Sequence, residues 1–452
     1  MKKIDNKLHF LGIGGISQSA IALIYKSLGY FVSGSDRTKS AITEKLELGG
    51  VPVCINGVSS YIKDADIIVV SAAIHEDDKE LQLAKSLNKK IISRAKMLGT
   101  LASKYGKVIS VAGSHGKTTT TGMLAEIFIH AGLNPTVHVG GELDNISGNV
   151  HIGNKDYFIT EACEYVDSFL ELKSDISVIL NIQPDHLDYF KTFDKIDKSF
   201  TKFASHTKKG GLVVYLADDP CANKKYKTRN ISYSINGNGI IEARNIKEYE
   251  KGKYKFDCYF LGVKLIKIRL GVYGVHNVYN ALASICVALE EGIDIGVIKE
   301  ALYNFKGAKR RFEDYGYYKG ARLIHDYAHH PTEIKATIAL AKRITSGNLY
   351  VVFQPHTFSR TKLLLDGFKS CFTGAKEVFV YKVYPARERE EDGINEKELA
   401  RQLSLSGQKA FSFEDYIEMK NYIDQKLSKK DTLLVLGAGD IEDFAKMLGG
   451  KK

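Results

Sequence analysis

The stretch "VAGSHGKTTTTGML", residues 111–124, decides how the rest of the chain is read. A phosphate-binding loop of the form G-x-x-x-x-G-K-[ST] needs a glycine at position 111, where this chain has Val111. The nearest glycine, Gly113, lies three residues before Gly116. The β-forming run "KVISV" (107–111) delivers the chain into Gly113, Ser114, His115, Gly116, Lys117, Thr118 and Thr119, and a helix is expected to begin at the threonines. Backbone N–H groups at such a helix start can surround a phosphate, and glycines allow its close approach. Lys117 brings positive charge to the β- and γ-phosphates, and Thr118 offers a hydroxyl to Mg2+. The alternative is a glycine-rich turn with an incidental lysine. Strand context and G-K-T-T favour a shortened phosphate loop.

Two later strand ends are expected to open on the same crevice, since ligands of an open α/β sheet gather beyond the carboxyl ends of its strands. "DYFITEACE" (156–164) ends in Glu161 and Glu164, and "DISVILNIQPDHLD" (175–188) ends in Asp185, His186 and Asp188. Mg2+ prefers oxygen ligands, which suits Glu161. His186 is open to two readings, a structural ring or an aid to a second metal.

Nearer the N-terminus, "GIGGIS" (12–17) supplies Gly12 and Gly14 of a dinucleotide fingerprint but has Ser17 where the third glycine belongs. Asp36 stands about where a ribose hydroxyl would be received. A nucleotide or diphosphate is expected here rather than NAD, and a tight turn that binds nothing is the alternative. "GVYGVHNVYNALAS" (271–284) places His276, Asn277 and Asn280 at a helix start, as ligands or as simple caps. "GAKRRFE" (307–313) carries Arg310 and Arg311, which reach either a nucleotide or carboxylates on a linker. "HDYAHHPTE" (325–333) gathers His325, Asp326, His329 and His330, more titratable groups than a core strand tolerates. The spacing is not that of a helical zinc motif. "FQPHTFSRTK" (353–362) adds His356, Arg360 and Lys362 as anchors for a small carboxylate.

Apolar strand-like runs alternate with amphipathic stretches nearly throughout the 452 residues, which predicts an α/β protein with parallel sheets. Residues 228–273 instead read as a small antiparallel addition. The expected division is three domains in series: 1–103 Rossmann-like, 104–312 a central P-loop ATPase with a mostly parallel sheet, and 313–452 Rossmann-like again. Apolar content of 44% and charged content of 26% are ordinary for a globular chain. No run approaches the ~20 apolar residues of a membrane helix, and the first residues lack the pattern of a signal peptide. Six scattered cysteines without a C-x-x-C pair argue for reduced thiols and a cytoplasmic setting. The +11 net charge lacks a basic run interleaved with aromatics, so nucleic acid is not an expected partner, whereas nucleotide ligands suit it.

Eleven short stretches then point to one family: "GIGG", "VSGSD", "ISRAKML", "EACE", "NIQPDHLD", "HNVYNALA", "RRFE", "DYAHHPTEI", "FQPHTFSRTK", "VYPARE" and "GAGDI". In this order, over nearly the whole chain, they resemble the Mur ligases of peptidoglycan synthesis. His115 within G-S-H-G-K-T-T is like the alanine-adding branch. The resemblance implies a cytoplasmic ligase that uses ATP and Mg2+ to join L-alanine to the carboxylate of UDP-N-acetylmuramic acid through an acyl phosphate, as a monomer or homodimer. It implies that Lys117 touches the γ-phosphate, with Thr118, Glu161 and His186 around Mg2+. Asn277, Arg310 and Asp326 would help hold ATP, with His329 nearby. Gly14, Ser35, Asp36 and Ser71 would lie along the uridine diphosphate, and His356 and Arg360 would face the amino acid and the reacting carboxylate. His329 and His356 are the candidate bases for the amine, and closure of the third block onto the second is expected. A tripeptide-adding sibling ligase, an NAD oxidoreductase and a non-catalytic nucleotide sensor are the competing readings. The chain departs from the family at Ser114, usually Thr, and at Ser17, Gln18 and Ala20 in "GISQSA".

Overall fold

The structure, a computed structural model, describes residues 7–146, 148–386, 388–389 and 393–449. The chain forms two compact units, one from residues up to 247 and 254–307, the other from 308 onward with the short segment 248–253.

The first unit contains two sheets. β1 (Lys7–Leu11), β2 (Phe31–Asp36), β3 (Val53–Ile55), β4 (Ile67–Val70) and β5 (Lys90–Ser93) are parallel, in the order β3-β2-β1-β4-β5. The order reverses between β1 and β4, so their carboxyl ends part and open a crevice. Gly34 lets the turn after β1 pack onto β2. A Cβ there would lie 2.7 Å from the Phe10 carbonyl oxygen and 2.5 Å from Ile13 Cδ1.

The second sheet comprises β6 (Lys107–Ala112), β7 (Thr136–Leu143), β8 (Gly148–His151), β9 (Tyr157–Glu161), β10 (Ile176–Ile179), β11 (Leu212–Leu216), β12 (Arg229–Ser234), β13 (Ile241–Glu250), β14 (Lys253–Phe260) and β15 (Val263–Tyr273). β6 sits between β9 and β10 and is parallel to both. It is buried from Val108 to Ala112, as a central parallel strand with both faces covered must be. The antiparallel addition starts later than expected. β12 pairs in parallel with β13, and only then do two-residue connections force hairpins. The turn between β14 and β15 has Leu261 at φ 47° and Gly262 at φ 79°, the positive pair that hairpin twist demands.

One apolar core serves both sheets. Ile24, Tyr25 and Leu98 join Tyr105, Phe158, Phe169 and Phe203 in a single cluster, with Phe169 stacked on Phe203 at 4.8 Å. Position 103/104 therefore marks a change of sheet and not a break in the packing.

The second unit holds β16 (Glu313–Tyr318), β17 (Ala321–Asp326), β18 (Leu349–Phe353), β19 (Glu377–Tyr381), β20 (Ala410–Phe413) and β21 (Thr432–Leu436), ordered β16-β17-β21-β18-β19-β20. β16 is antiparallel to β17 and the remaining pairings are parallel. Apolar clusters cover both faces. Residues 308–312 belong to this unit. Arg310 N donates to Glu313 Oε2 at 2.8 Å, and Phe312 N donates to Asp326 Oδ2 at 2.6 Å. Among the described residues no helix is long and apolar enough to cross a membrane, and all six cysteines are free.

Gly34→Ala is expected to lower stability by about 1–3 kcal/mol through overpacking. Chemical denaturation measures it, and an unchanged midpoint would show that the turn has room to give.

Candidate active site

The phosphate loop leaves β6 at Gly113 and enters the helix Lys117–His130. Its glycines are dictated by geometry. Gly113 has φ 148° and Gly116 φ 88°, and a Cβ at Gly116 would lie 2.5 Å from Asn280 Oδ1. The loop is latched to the segment after β10. Asn181 clamps the His115 backbone from both directions, accepting from His115 N at 2.9 Å and donating to His115 O at 3.0 Å. Ser114 N donates to Asn181 O at 3.0 Å, and Gln183 N donates to Ser114 Oγ at 2.9 Å. The hydroxyl at position 114 is thus a structural acceptor, a task serine and threonine share.

Lys117 folds back over its own loop. Nζ donates to Gly113 O at 2.5 Å and to both carboxylate oxygens of Glu164, at 2.9 and 3.1 Å. Burial pulls its proton affinity down, but the Glu164 carboxylate more than offsets this and the net shift is upward, so the ammonium stays charged. Glu164 is 2% exposed. Past it the backbone bends through Val166 (φ 48°) and Asp167 (φ 56°).

Around the loop the metal-ligating groups fall into two sets. Glu161 Oε1 accepts from Gly140 N at 2.8 Å, and a Cβ on the adjacent Gly141 would lie 3.0 Å from Thr118 Cγ2. Two glycines on β7 therefore leave room beside Thr118 and Glu161. The second set, Glu164, Asp185 and His186, has ligand atoms within 4.8 Å of one another. The resemblance implied that His186 and Glu161 both lie around Mg2+; here His186 is grouped with Glu164 and Asp185. His186 takes φ 51°, and its ring lies 4.8 Å from that of Tyr165. The side chain of Asp188 lies outside the described residues, as does Arg387 of "VYPARE". The oxygen-rich donor set fits a hard divalent cation.

Asn277 opens the helix His276–Glu290. It donates to Tyr273 O at 2.7 Å and accepts from Asn280 Nδ2 at 2.8 Å, which aligns Asn280 against Gly116.

In the first sheet, one carboxylate oxygen of Asp36 is taken by the glycine turn. Its Oδ2 accepts from Gly14 N at 2.8 Å and fixes the glycine turn. Ser71, at the end of β4, accepts from Ala73 N and lies 3.5 Å from where a Cβ on Gly12 would be. Ser35 corrects the expectation. It is 3% exposed and donates its hydroxyl to Glu80, because alternate positions of this covered strand also face the interior. Only its carbonyl serves the turn, accepting from Gly12 N and Ile13 N.

In the second unit the four titratable groups of "HDYAHH" take four separate tasks. His325 is buried and bonds Val435 O at 3.0 Å. Asp326 accepts from Phe312 N and Ala328 N, so it organises two loops. His330 caps the helix Pro331–Ile344, accepting from Thr332 N. His329 faces His356, with ring centroids 5.7 Å apart. His356 stacks on Tyr384 at 5.5 Å, and its Nδ1 is buried without a hydrogen-bond partner among the described residues. Arg310 donates to Gly439 O at 2.7 Å and lies 4.8 Å over Tyr327, whose ring Arg311 also approaches at 4.9 Å. Tyr327 and Asn181 were not singled out by sequence reasoning. Their signal was position alone, each following an apolar strand beside a recognised motif.

Burial, aided by Arg360, lowers His356 to about 4; burial lowers His329 to about 3 against the pull of Glu333. In this arrangement both rings are neutral at pH 7 and too weakly basic to deprotonate an ammonium.

Against this geometry the comparisons are decisive. Residues 7–105 match the Mur ligase family catalytic domain, 111–288 the Mur ligase middle domain and 310–439 the Mur ligase glutamate ligase domain. The chain belongs to the Mur ligase family. It is 43% identical over 444 residues to the UDP-N-acetylmuramate–L-alanine ligase of Clostridium beijerinckii, covering 98% of this chain and 97% of that one. The corresponding ligase of Caldanaerobacter subterraneus subsp. tengcongensis is 42% identical, with 96% and 95% covered. Among solved Mur ligases, a UDP-N-acetylmuramate–alanine ligase from Thermotoga maritima aligns with TM-score 0.84 and 29% identity over 98% of both chains. A murein peptide ligase from Psychrobacter arcticus shares the fold at TM-score 0.76 and 23% identity, over 98% of this chain and 99% of that one.

Two predictions follow the geometry. Gly116→Ala must strain a positive φ and displace Asn280, so ATP affinity is expected to fall at least about tenfold, read by calorimetry. An unaltered affinity would contradict the need for the glycine. In the second unit, burial holds His325 at about 4, His356 at about 4 and His329 at about 3, while burial raises Asp326 to about 6. Between the ordinary histidine value of about 6.5 and about 4, the unfolded chain gains three protons that the folded histidines refuse. Asp326 opposes this with one proton, so the histidines win and stability falls as pH drops through that window. The urea midpoint of this unit should decline from pH 7 to 5, less steeply in His329→Asn. A flat or rising midpoint would contradict the burial of these rings.

Proposed function

We infer that this chain joins L-alanine to the carboxylate of UDP-N-acetylmuramic acid, using ATP, in peptidoglycan precursor synthesis. One observation carries the reading. A chain 43% identical over 98% of its length to an L-alanine ligase carries a phosphate loop braced by Asn181, with Lys117 held over it by Glu164.

A carboxylate is a poor electrophile. Its oxygen attacks the γ-phosphorus, ADP leaves, and an acyl phosphate forms with phosphate as a good leaving group. The neutral amine then attacks the carbonyl carbon, and phosphate departs with the proton that the nitrogen gives up, leaving the amide. Lys117 is assigned to neutralise charge on the moving phosphoryl group, a positional and electrostatic task. It must exchange Glu164 for phosphate oxygens to do so. Thr118, Glu161 and His186 are assigned to Mg2+, which when bound supplies further charge neutralisation on the phosphates. Asn277 acts at the base of the loop, whereas Arg310 and Asp326 act on ATP through the loops they fix. Gly14, Asp36 and Ser71 are assigned to the uridine diphosphate. Arg360 is assigned to the carboxylate of the amino acid. The neutral rings of His329 and His356 accept a hydrogen bond from its amine rather than remove a proton. Domain boundaries at 103/104 and 312/313 are retained as a functional division into nucleotide-sugar, ATP and amino-acid parts.

The test is ATP-dependent phosphate release with Mg2+ and UDP-N-acetylmuramic acid, with L-alanine, the tripeptide or no acceptor. Release is expected with L-alanine and should fall at least about 100-fold in Lys117→Ala. Release with the tripeptide alone would assign the chain to the tripeptide-adding branch. If the histidines act as neutral acceptors, His329→Asn should slow turnover without changing the shape of the pH–rate profile. Loss of an ionisation near neutrality in that variant would make His329 the base.

A further inference from the structure

Arg94, at the carboxyl end of β5, is a cation of the first sheet that the assignments above leave unused. It begins the helix Arg94–Ala102, directly after β5, and its side chain is half-buried. Among the described residues no carboxylate lies within ion-pair distance of it. Of its five N–H donors, one is placed, from Nη1 to Ser17 Oγ at 2.9 Å. A guanidinium withdrawn from water without an anion carries a desolvation cost that a bound anion would offset.

The bond to Ser17 is the head of a directed chain. Thr160 Oγ1 donates to Glu161 O at 3.0 Å, so it accepts from His138 Nδ1 at 2.8 Å. That fixes the His138 tautomer and makes Nε2 the acceptor from Ser17 Oγ at 2.9 Å. Burial and the neighbouring Arg94 lower His138 to about 3, so the ring stays neutral and the polarity of the chain is kept. Ser17 Oγ is left with lone pairs only for Arg94. The residue that broke the third-glycine rule of the fingerprint is therefore the one that holds the guanidinium. The far end of this chain reaches the phosphate loop: Glu161 also accepts from Gly140 N at 2.8 Å, and a Cβ on the adjacent Gly141 would lie 3.0 Å from Thr118 Cγ2.

We propose that Arg94, held by Ser17, is a binding residue for an anionic oxygen of the nucleotide sugar, in a subsite adjoining the phosphate loop. The inference rests on the nucleotide-sugar reading above and adds the residue that receives the charge. Two groups of that ligand have the right chemistry, the sugar's carboxylate and the diphosphate. Ser17 is a positioning residue that acts through Arg94.

Calorimetric binding of UDP-N-acetylmuramic acid, UDP-N-acetylglucosamine and ATP to the full chain tests it, with wild type, Arg94→Ala, Arg94→Lys and Ser17→Gly. Arg94→Ala is expected to bind UDP-N-acetylmuramic acid at least about tenfold more weakly, with ATP affinity unchanged as evidence of an intact fold. Arg94→Lys keeps the charge and the packing of the stem and should recover part of the loss. Ser17→Gly should weaken the nucleotide sugar several-fold and leave ATP alone. UDP-N-acetylglucosamine carries the diphosphate without the carboxylate. If Arg94→Ala weakens it equally, the diphosphate is the partner; if its affinity is unmoved, the carboxylate is. Wild-type affinity for UDP-N-acetylmuramic acid in both Arg94 variants would overturn the proposal. Failure of the wild type itself to bind that nucleotide would instead overturn the reading of function.

Discussion

Two hydrogen bonds between the Asn181 carboxamide and the His115 backbone hold the loop on which everything else depends. A phosphate loop is a strained object: its N–H groups must converge on one point, which the peptide chain resists without glycine and without a brace. Here the brace comes from the segment after β10, the neighbour of β6 in the sheet. With Asn181 supplying that hold, Gly113 need lie only three residues before Gly116. The absent glycine at Val111 is answered by this. Val111 is a buried strand residue paired with Val178 and Glu161, and the loop begins after it.

The loop sets a second constraint, the fate of Lys117. Held by a buried carboxylate and a loop carbonyl, the lysine fills the mouth of its own nest. Breaking a buried pair by removing one partner costs about 3–5 kcal/mol. On the proposed function, a phosphate would replace Glu164 in kind and avoid leaving the ammonium alone. The exchange releases the Glu164 carboxylate beside Asp185 and His186, where positive charge is then favoured. The proposed function would thus couple nucleotide binding to the local demand for a cation through one side chain.

Much of this was legible in the sequence because backbone geometry dictates residue type. Glycines at 113 and 116, the run G-K-T-T and the apolar strand before it admit few other folds. The alternation of strands and helices announced parallel sheets, and the curved, glycine-broken β7 was the kind of strand it could not announce. Side-chain tasks were less legible. Ser35 stands in a motif beside a crevice, yet a strand covered on both faces turns it inward. Asp36 has the spacing of a ribose ligand and is engaged by Gly14 N. The density of "HDYAHH" drew attention to the segment, but nothing in six letters says which ring meets His356 and which one caps a helix. Those distinctions arise from neighbours more than 25 residues away, such as Val435 and His356 itself.

The account's central claim is that the loop at 113–119 spends ATP on the carboxylate of the nucleotide sugar. Its most direct test is isotopic. UDP-N-acetylmuramic acid labelled with oxygen-18 in its carboxylate is turned over with ATP, Mg2+ and L-alanine, and the phosphate released is analysed by mass spectrometry. An acyl phosphate requires one carboxylate oxygen to leave with the phosphate, so singly labelled phosphate is predicted in step with amide formation. Phosphate free of label, with amide formed, would contradict the account.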